Sequence, residues 1–91
     1  MSWKQSLKEE IIKNGLDMGE FTLSELYQVS LMNIETKFPN NNTCKASIMR
    51  TLQLLRNDKY LRFIDNKGTY EVISKENDEW RNFIKKYHMN H

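Results

Sequence analysis

The side chains best suited to specific chemistry lie between Phe38 and Arg62, and their types favour hydrogen bonding to nucleic acid over catalysis. An arginine guanidinium forms paired hydrogen bonds with guanine, and a glutamine amide forms them with adenine. Arg50 and Gln53 are three residues apart, so they share one face of a helix. On or beside that face lie six base-reading candidates: Asn42, Thr43, Ala46, Ser47, Arg50 and Gln53.

Four residues are candidates for binding phosphate groups: Lys37, Asn41, Lys45 and Lys67. The lysines supply positive charge, and Asn41 precedes the helix, where backbone N–H groups and the helix dipole attract anions. Ala46 is small and central on the outward face, so it permits close approach and contact with a base methyl group. An ordinary solvated helix face explains the same pattern, with the asparagines serving only as a turn and cap.

Positive charge is concentrated in this part of the chain. Residues 1–36 have a net charge of −3, residues 37–62 have +5 and residues 63–91 are neutral, within a total of +2. A local positive excess beside a neutral remainder is typical of a nucleic-acid-binding surface. The alternative is a helix face that is basic only because it is solvated.

The sequence lacks the usual signs of an enzyme. It has no glycine-rich phosphate loop, no G-x-S-x-G motif and no cysteine paired with a histidine and an orienting group. Cys44 falls among apolar residues, which favours an inert thiol in the core. We therefore expect no catalytic residue, no cofactor and no bound metal. The single cysteine and the lack of a long apolar segment fit a cytoplasmic protein with no membrane partner.

Three helices are predicted in the first two thirds of the chain. Apolar spacing predicts the first over residues 2–14. Thr22 and Glu25 have the spacing of a capping box that starts the second, which must end before Pro39. The third covers about residues 42–57. Its predicted buried stripe consists of Cys44, Ile48, Leu52 and Leu55.

A β-hairpin is predicted after the third helix. Strands at 60–64 and 69–73 flank a turn at 65–68, in which Gly68 suits a positive φ. A short extended stretch at Glu20–Phe21 could pair with this hairpin. The hairpin would then be the wing of a winged helix-turn-helix.

A fourth helix is predicted over residues 75–88. Its apolar stripe has helical spacing and consists of Trp80, Phe83, Ile84 and Tyr87. We expect this stripe and Trp3 to pack in the core, and the alternative is a homodimer contact through the terminal helices. Residues 1–91 would then be one mainly α domain with a small β-hairpin. That domain is a winged helix-turn-helix with its core at 21–73 and flanking helices at 2–14 and 75–88.

Four stretches carry a resemblance to a known family: FTLSELY at 21–27, FPNNN at 38–42, IMRTLQLLR at 48–56 and YLRFIDNKGTYEV at 60–72. Over these residues the chain resembles the C-terminal winged-helix domain of the Dam-replacing-protein type of restriction endonucleases. Those enzymes cut DNA that is methylated on the adenine of GATC. The resemblance implies a winged helix that binds DNA, and it implies recognition of methyladenine.

The chain departs from the family pattern at three places. Met49 stands where the family has an arginine, and Lys59 stands where it has a glycine. The glycine-rich wing of the family is replaced by Asp65-Asn66-Lys67. The nuclease half of those enzymes has no counterpart in these 91 residues. We expect the target to differ from that of the family chiefly through Met49.

These patterns predict binding of double-stranded DNA, with the helix at about 42–57 in the major groove and the wing at 65–68 beside it. Recognition of a sequence or of adenine methylation would suit a specificity module or a small bacterial or phage regulator. The alternative is a winged helix that binds protein, such as a phage-encoded inhibitor or adaptor of a host protein. Acidic residues in the first third and the terminal aromatic residues favour that alternative.

Overall fold

A computed structural model describes residues 2–40, 42–65 and 67–89, without the side chains of residues 87–89. In chain order the elements are α1 (Trp3–Lys13), β1 (Glu20–Thr22), α2 (Leu23–Lys37), α3 (Cys44–Asn57), β2 (Leu61–Phe63), β3 (Thr69–Val72) and α4 (Glu76–Met89). This order confirms the predicted winged helix-turn-helix with additional terminal helices. A short 3-10 helix, Leu16–Met18, lies between α1 and β1. The phosphate candidate Asn41 and the wing residue Asn66 lie outside the described residues.

α1 and α2 each begin after an N-cap residue whose side chain accepts a hydrogen bond from the first turn. The Ser2 hydroxyl accepts a hydrogen bond from the backbone N–H of Gln5 at 3.1 Å. The predicted capping box is confirmed: the Glu25 N–H donates to Thr22 Oγ1 at 3.1 Å, and the Thr22 N–H donates to Glu25 Oε1 at 3.3 Å. Such a cap contributes about 1 kcal/mol to helix stability. α2 ends two residues before Pro39, because the residue preceding a proline is disfavoured in the helical region.

The three strands form one antiparallel sheet in the order β1–β3–β2. The predicted hairpin is present, and it pairs Leu61 with Val72 and Phe63 with Tyr70. β1 lies on the other side of β3, where Phe21 pairs with Tyr70. The pairing of β1 with the hairpin, expected from its extended sequence, is confirmed. The sheet therefore joins the start of α2 directly to the wing.

A hydrophobic core lies among the first three helices and the sheet. Its buried side chains are Leu7, Ile11, Phe21, Leu26, Ile34, Ile48, Leu52, Leu55, Tyr60, Leu61 and Tyr70. Burying one leucine or isoleucine side chain contributes about 1.5–3 kcal/mol. Since three of these residues belong to α3, that helix is held firmly by one side.

α3 ends in a Schellman motif whose left-handed residue is Lys59, with a φ of 62°. The Tyr60 N–H donates to the carbonyl oxygen of Leu55 at 2.9 Å, and the Lys59 N–H donates to that of Arg56 at 3.0 Å. Tyr60 and Leu55 are both buried, and an apolar contact between these two positions commonly accompanies the motif. The motif turns the chain from α3 into β2 and so fixes the wing against the helix.

Among the described side chains of α4, one buried apolar residue and two ion pairs attach the helix. Ile84 is only 6% exposed. The Arg81 guanidinium binds both oxygens of the buried Asp17 carboxylate, with Nε 3.0 Å from Oδ2. Lys8 Nζ of α1 lies 2.6 Å from Glu76 Oε1 at the start of α4. The attachment therefore combines apolar packing with charged contacts.

The expectation that the whole α4 stripe packs in the core is wrong for Phe83. This side chain is 59% exposed, and Trp80 is only half-buried. Trp3 packs as expected, because its ring stacks on Phe38 with centroids 4.1 Å apart. The Tyr87 side chain lies outside the described part of the chain. Apolar spacing predicts which side of α4 is apolar, but not whether a neighbouring element covers all of it.

Candidate nucleic-acid interface

The two faces of α3 differ as the sequence predicts. The predicted stripe is buried: Cys44, Ile48, Leu52 and Leu55. On the other side Thr43, Ala46, Arg50 and Gln53 are exposed, and Ser47 is half-buried. α3 begins later than predicted, with Thr43 as the N-cap, so the exposed Asn42 lies in the preceding turn. Five of the six base-reading candidates therefore lie on α3 or at its cap.

Tyr27 of α2 holds the first turn of α3. Its hydroxyl donates a hydrogen bond to the carbonyl oxygen of Lys45 at 3.3 Å. The ammonium of Lys45 lies 5.3 Å from the centroid of the Tyr27 ring, which is a cation–π contact. Burial raises the pKa of the Tyr27 hydroxyl, so the hydroxyl keeps its proton for this bond. These contacts place a positive charge at the N-terminal end of α3.

A groove of about 440 Å³ lies between α3 and the wing. Its walls are formed by Leu23, Met49, Gln53, Arg56, Phe63, Asp65, Lys67, Gly68 and Tyr70. Gln53 and Lys67 were predicted as site residues, and Met49 was predicted to alter the target, whereas Arg56 and Phe63 were not predicted. A signal for Arg56 was present, since positions 49, 53 and 56 have the i, i+4, i+7 spacing of one helix side.

Arg56 is oriented in this groove by an aromatic ring. The carbon at the centre of its guanidinium lies 4.6 Å from the centroid of Phe63. Phe63 in turn meets Tyr70 edge-on, with centroids 4.9 Å apart. Stacking restricts the guanidinium without neutralising its charge, and its N–H groups stay available for hydrogen bonds. Burial also raises the pKa of Tyr70, so its ring remains neutral beneath this stack.

The wing turn is fixed by its own backbone and by α2. Asp65 Oδ1 accepts hydrogen bonds from the backbone N–H groups of Lys67 at 2.8 Å and Thr69 at 3.2 Å. These bonds, chiefly that from Lys67, lower the pKa of the Asp65 carboxyl. Gly68 has a φ of 93°, and its carbonyl oxygen accepts a hydrogen bond from the Leu23 N–H at 2.8 Å. The backbone of the exposed Lys67 is therefore held by the Asp65 carboxylate.

Two cations in the positively charged segment, residues 37–62, are paired with carboxylates. Lys37 Nζ lies 3.6 Å from an oxygen of the buried Glu10 and 3.8 Å from one of Glu9. Arg62 is paired across the hairpin with Glu71 at 2.7 Å. Lys37 therefore links α2 to α1, and this argues against its predicted contact with phosphate.

The one acidic residue among residues 37–62 is drawn away from the interface. Asp58 lies 2.8 Å from the ammonium of Lys4 in α1. Four exposed cations then surround the outward side of α3 and the groove: Lys45, Arg50, Arg56 and Lys67. Within the part of the chain that the structure describes, these four form no ion pair. The local field at this surface is therefore positive.

A family model described as the Dam-replacing HTH domain matches residues 7–72. The chain belongs to this family. The match runs from α1 to the end of β3, so it contains α3, the groove and the wing, and it excludes α4. Comparisons with curated proteins and with solved structures gave no match.

Membership of the Dam-replacing HTH family confirms the resemblance predicted from the sequence and indicates DNA binding. The positive φ of Lys59 also gives a physical reason for the glycine that the family pattern has at this position. No helix in the described residues is long and apolar enough to cross a membrane. Nor do those residues bring three potential metal-ligating side chains together.

Proposed function

We propose that the chain binds double-stranded DNA with α3 in the major groove and the wing turn at 65–68 against the neighbouring backbone. The observation that carries this proposal is a positively charged surface in which Gln53 belongs both to the outward side of α3 and to the groove beside the wing. α3 has 14 residues and is therefore about 21 Å long. With its side chains a helix is about 10–12 Å across, so it fits the major groove, which is roughly 12 Å wide.

The middle of α3 would read bases. Arg50 is suited to guanine, whose O6 and N7 accept two parallel N–H bonds, and Gln53 is suited to adenine. Ala46, one turn before Arg50 on the same face, keeps the helix close to the base edges and offers a methyl group to thymine or methylated adenine. The remaining candidates stand at the start of the helix: Asn42, Thr43 and Ser47.

The ends of the surface would bind phosphate. Lys45 lies at the N-terminal end of α3, and Lys67 lies in the wing turn. Arg56 joins this set because Phe63 orients its guanidinium in the groove between them. Asn41 stays a candidate by sequence alone. Lys37 is left out of the proposed set because Glu9 and Glu10 engage it.

Specificity for adenine methylation is the finer part of the proposal. Met49 and Phe63 bring apolar surface into the groove beside Gln53. An N6-methyl group adds an apolar contact at the major-groove edge of adenine, next to the atoms that an amide reads. Membership of the Dam-replacing HTH family supports this target class. The chain would then act as the specificity element of a nuclease or of a small regulator.

The proposal is tested with a library of random duplexes, prepared with and without adenine methylation. Fluorescence anisotropy measures their binding to the chain. Selection from the same library gives the preferred site. At that site Arg50→Ala should weaken binding about 5- to 150-fold, the value of a bidentate base contact. Lys75→Ala removes an exposed charge outside the surface and should have no effect. Absence of binding to both methylated and unmethylated duplexes would contradict the proposal.

A protein partner in place of DNA is the competing proposal, and the exposed Phe83 favours it. The acidic first third supports a protein partner less than the sequence suggested, because four of its six carboxylates have partners within the chain. Those with internal partners are Glu9, Glu10, Asp17 and Glu25. A protein retained in stoichiometric amounts despite excess competing DNA would favour this function over DNA binding.

A further inference from the structure

α4 lies outside the matched family range, and it carries an exposed apolar surface of its own. Phe83 is 59% exposed, and its ring meets Trp80 edge-on with centroids 5.9 Å apart. Both rings line a groove of about 380 Å³ together with Gln5 and Glu79. We propose that this surface is a self-association site, which binds the same surface of α4 in a second copy of the chain, with the two helices antiparallel.

The charges beside Phe83 favour a second copy as the occupant. With about 100° between successive helix residues, Glu79 and Lys86 lie on the same side of Phe83, about 40° and 60° from it. Glu79 is one turn towards the start of α4, and Lys86 is one turn towards its end. Both are exposed, and neither forms an ion pair within the described residues. The apolar surface is thus bordered by one charge of each sign.

Only an antiparallel arrangement makes this border complementary to itself. A two-fold axis beside Phe83 places Glu79 of each copy opposite Lys86 of the other, so that each attraction occurs twice. A parallel arrangement would instead set the two copies of Glu79 at one level and the two copies of Lys86 at another, on opposite edges of the interface, and would form no Glu79–Lys86 pair. Antiparallel helices also set their dipoles in the favourable sense. The positions of Glu79 and Lys86 therefore favour a second copy of α4 in the antiparallel direction.

Self-association through α4 leaves the proposed DNA surface free. None of the residues that line the α4 groove belongs to α3, β2, β3 or the wing turn. A pair of helices buries less than the roughly 800 Å² per partner of a standard interface, so we expect a dissociation constant on the order of 0.1 mM. Such a weak dimer would be strengthened on DNA that offers two half-sites.

Sedimentation equilibrium of the chain at increasing concentration tests the inference. The wild type should dimerise, and Glu79→Lys or Lys86→Glu alone should weaken the dimer about tenfold, because each change creates two like-charge contacts. An equimolar mixture of these two variants should regain the wild-type affinity, since both contacts become attractive again in the mixed dimer. Phe83→Ala should weaken the dimer at least tenfold.

Lys85→Glu is the matched control, because it makes the same charge change on the opposite side of α4, where Lys85 lines a different groove. It should leave the dimer unchanged, and circular dichroism should show that every variant is folded. A wild type that stays monomeric at concentrations on the order of 1 mM would overturn the inference. So would a mixture that associates no better than its components, or an equal effect of Lys85→Glu.

Discussion

Raising the salt concentration should weaken DNA binding by an amount that depends on which cations of the chain are already paired. Binding to phosphates releases counterions, so the logarithm of the affinity falls linearly with the logarithm of the salt concentration. The slope of this line is about −0.9 for each phosphate that the protein neutralises. The cations in residues 37–67 are Lys37, Lys45, Arg50, Arg56, Lys59, Arg62 and Lys67. If all of them bound phosphate, the slope would be about −6.3.

The structure predicts a much shallower slope. Lys37 and Arg62 are held by carboxylates, and Lys59 lies beyond the end of α3 and does not line the groove. Three or four cations remain, depending on whether the base-reading arginine also neutralises a phosphate. The slope should then lie between about −2.7 and −3.6. Between about 50 and 200 mM salt this corresponds to a loss of affinity of about 40- to 150-fold.

Fluorescence anisotropy of one labelled duplex, titrated at several salt concentrations, measures this slope. Lys67→Ala should make the slope shallower by about 0.9, and Lys37→Ala should leave it unchanged. Lys37→Ala is a strict control because it removes the same charge from one of the seven cations in residues 37–67. A slope steeper than about −5, or an equal effect of the two variants, would refute the assignment of free and paired cations.

Three further predictions concern stability. Lys59→Gly should raise the free energy of unfolding by about 0.5–1 kcal/mol in urea denaturation, because glycine adopts a positive φ without strain, and Lys59→Ala should give no such gain. Arg81→Met should lower the free energy of unfolding by about 3 kcal/mol, since the buried Asp17 carboxylate loses its partner. Adding Asp17→Asn to this variant should recover most of the loss. Burial, followed by the nearby Asp17 charge, raises the pKa of Tyr60 in the folded state. The free energy of unfolding should therefore be unaffected by this group below about pH 10 and fall as the pH rises further, and Tyr60→Phe should reduce that fall.

Each stability prediction has an outcome that contradicts it. A less stable Lys59→Gly variant would show that strain at this turn is smaller than the entropy that glycine adds to the unfolded chain. If Asp17→Asn fails to rescue Arg81→Met, the lost stability comes from packing of the arginine stem. If the free energy of unfolding of Tyr60→Phe falls above about pH 10 as steeply as that of the wild type, other tyrosines cause the fall.

The features that the sequence predicts well are set by residues close together in the chain. The capping box of α2 depends on Thr22 and Glu25, which are three residues apart. The separation of faces on α3 follows from the spacing of apolar residues within 14 positions. The hairpin follows from a turn next to its strands. In each case short-range stereochemistry decides the outcome.

The features that sequence reasoning missed depend on contacts between distant residues. Arg81 meets Asp17 across 64 positions, and Lys37 meets Glu10 across the α1–α2 packing. A charge count treats Lys37 as available, because nothing local reveals its partner. Phe83 was misplaced for a related reason. Periodicity shows that α4 has an apolar side, but the surface of α1 decides how much of that side is covered.

The hydrogen bond from the Leu23 N–H to the Gly68 carbonyl oxygen gives the wing a built-in spectroscopic reporter. Leu23 is the first residue of α2, where backbone N–H groups have no acceptor inside their own helix. Its protection against hydrogen–deuterium exchange therefore measures how often the wing turn lifts away, rather than how often α2 frays. A single amide resonance in the scaffold thus records the opening equilibrium of an element 45 residues further along the chain.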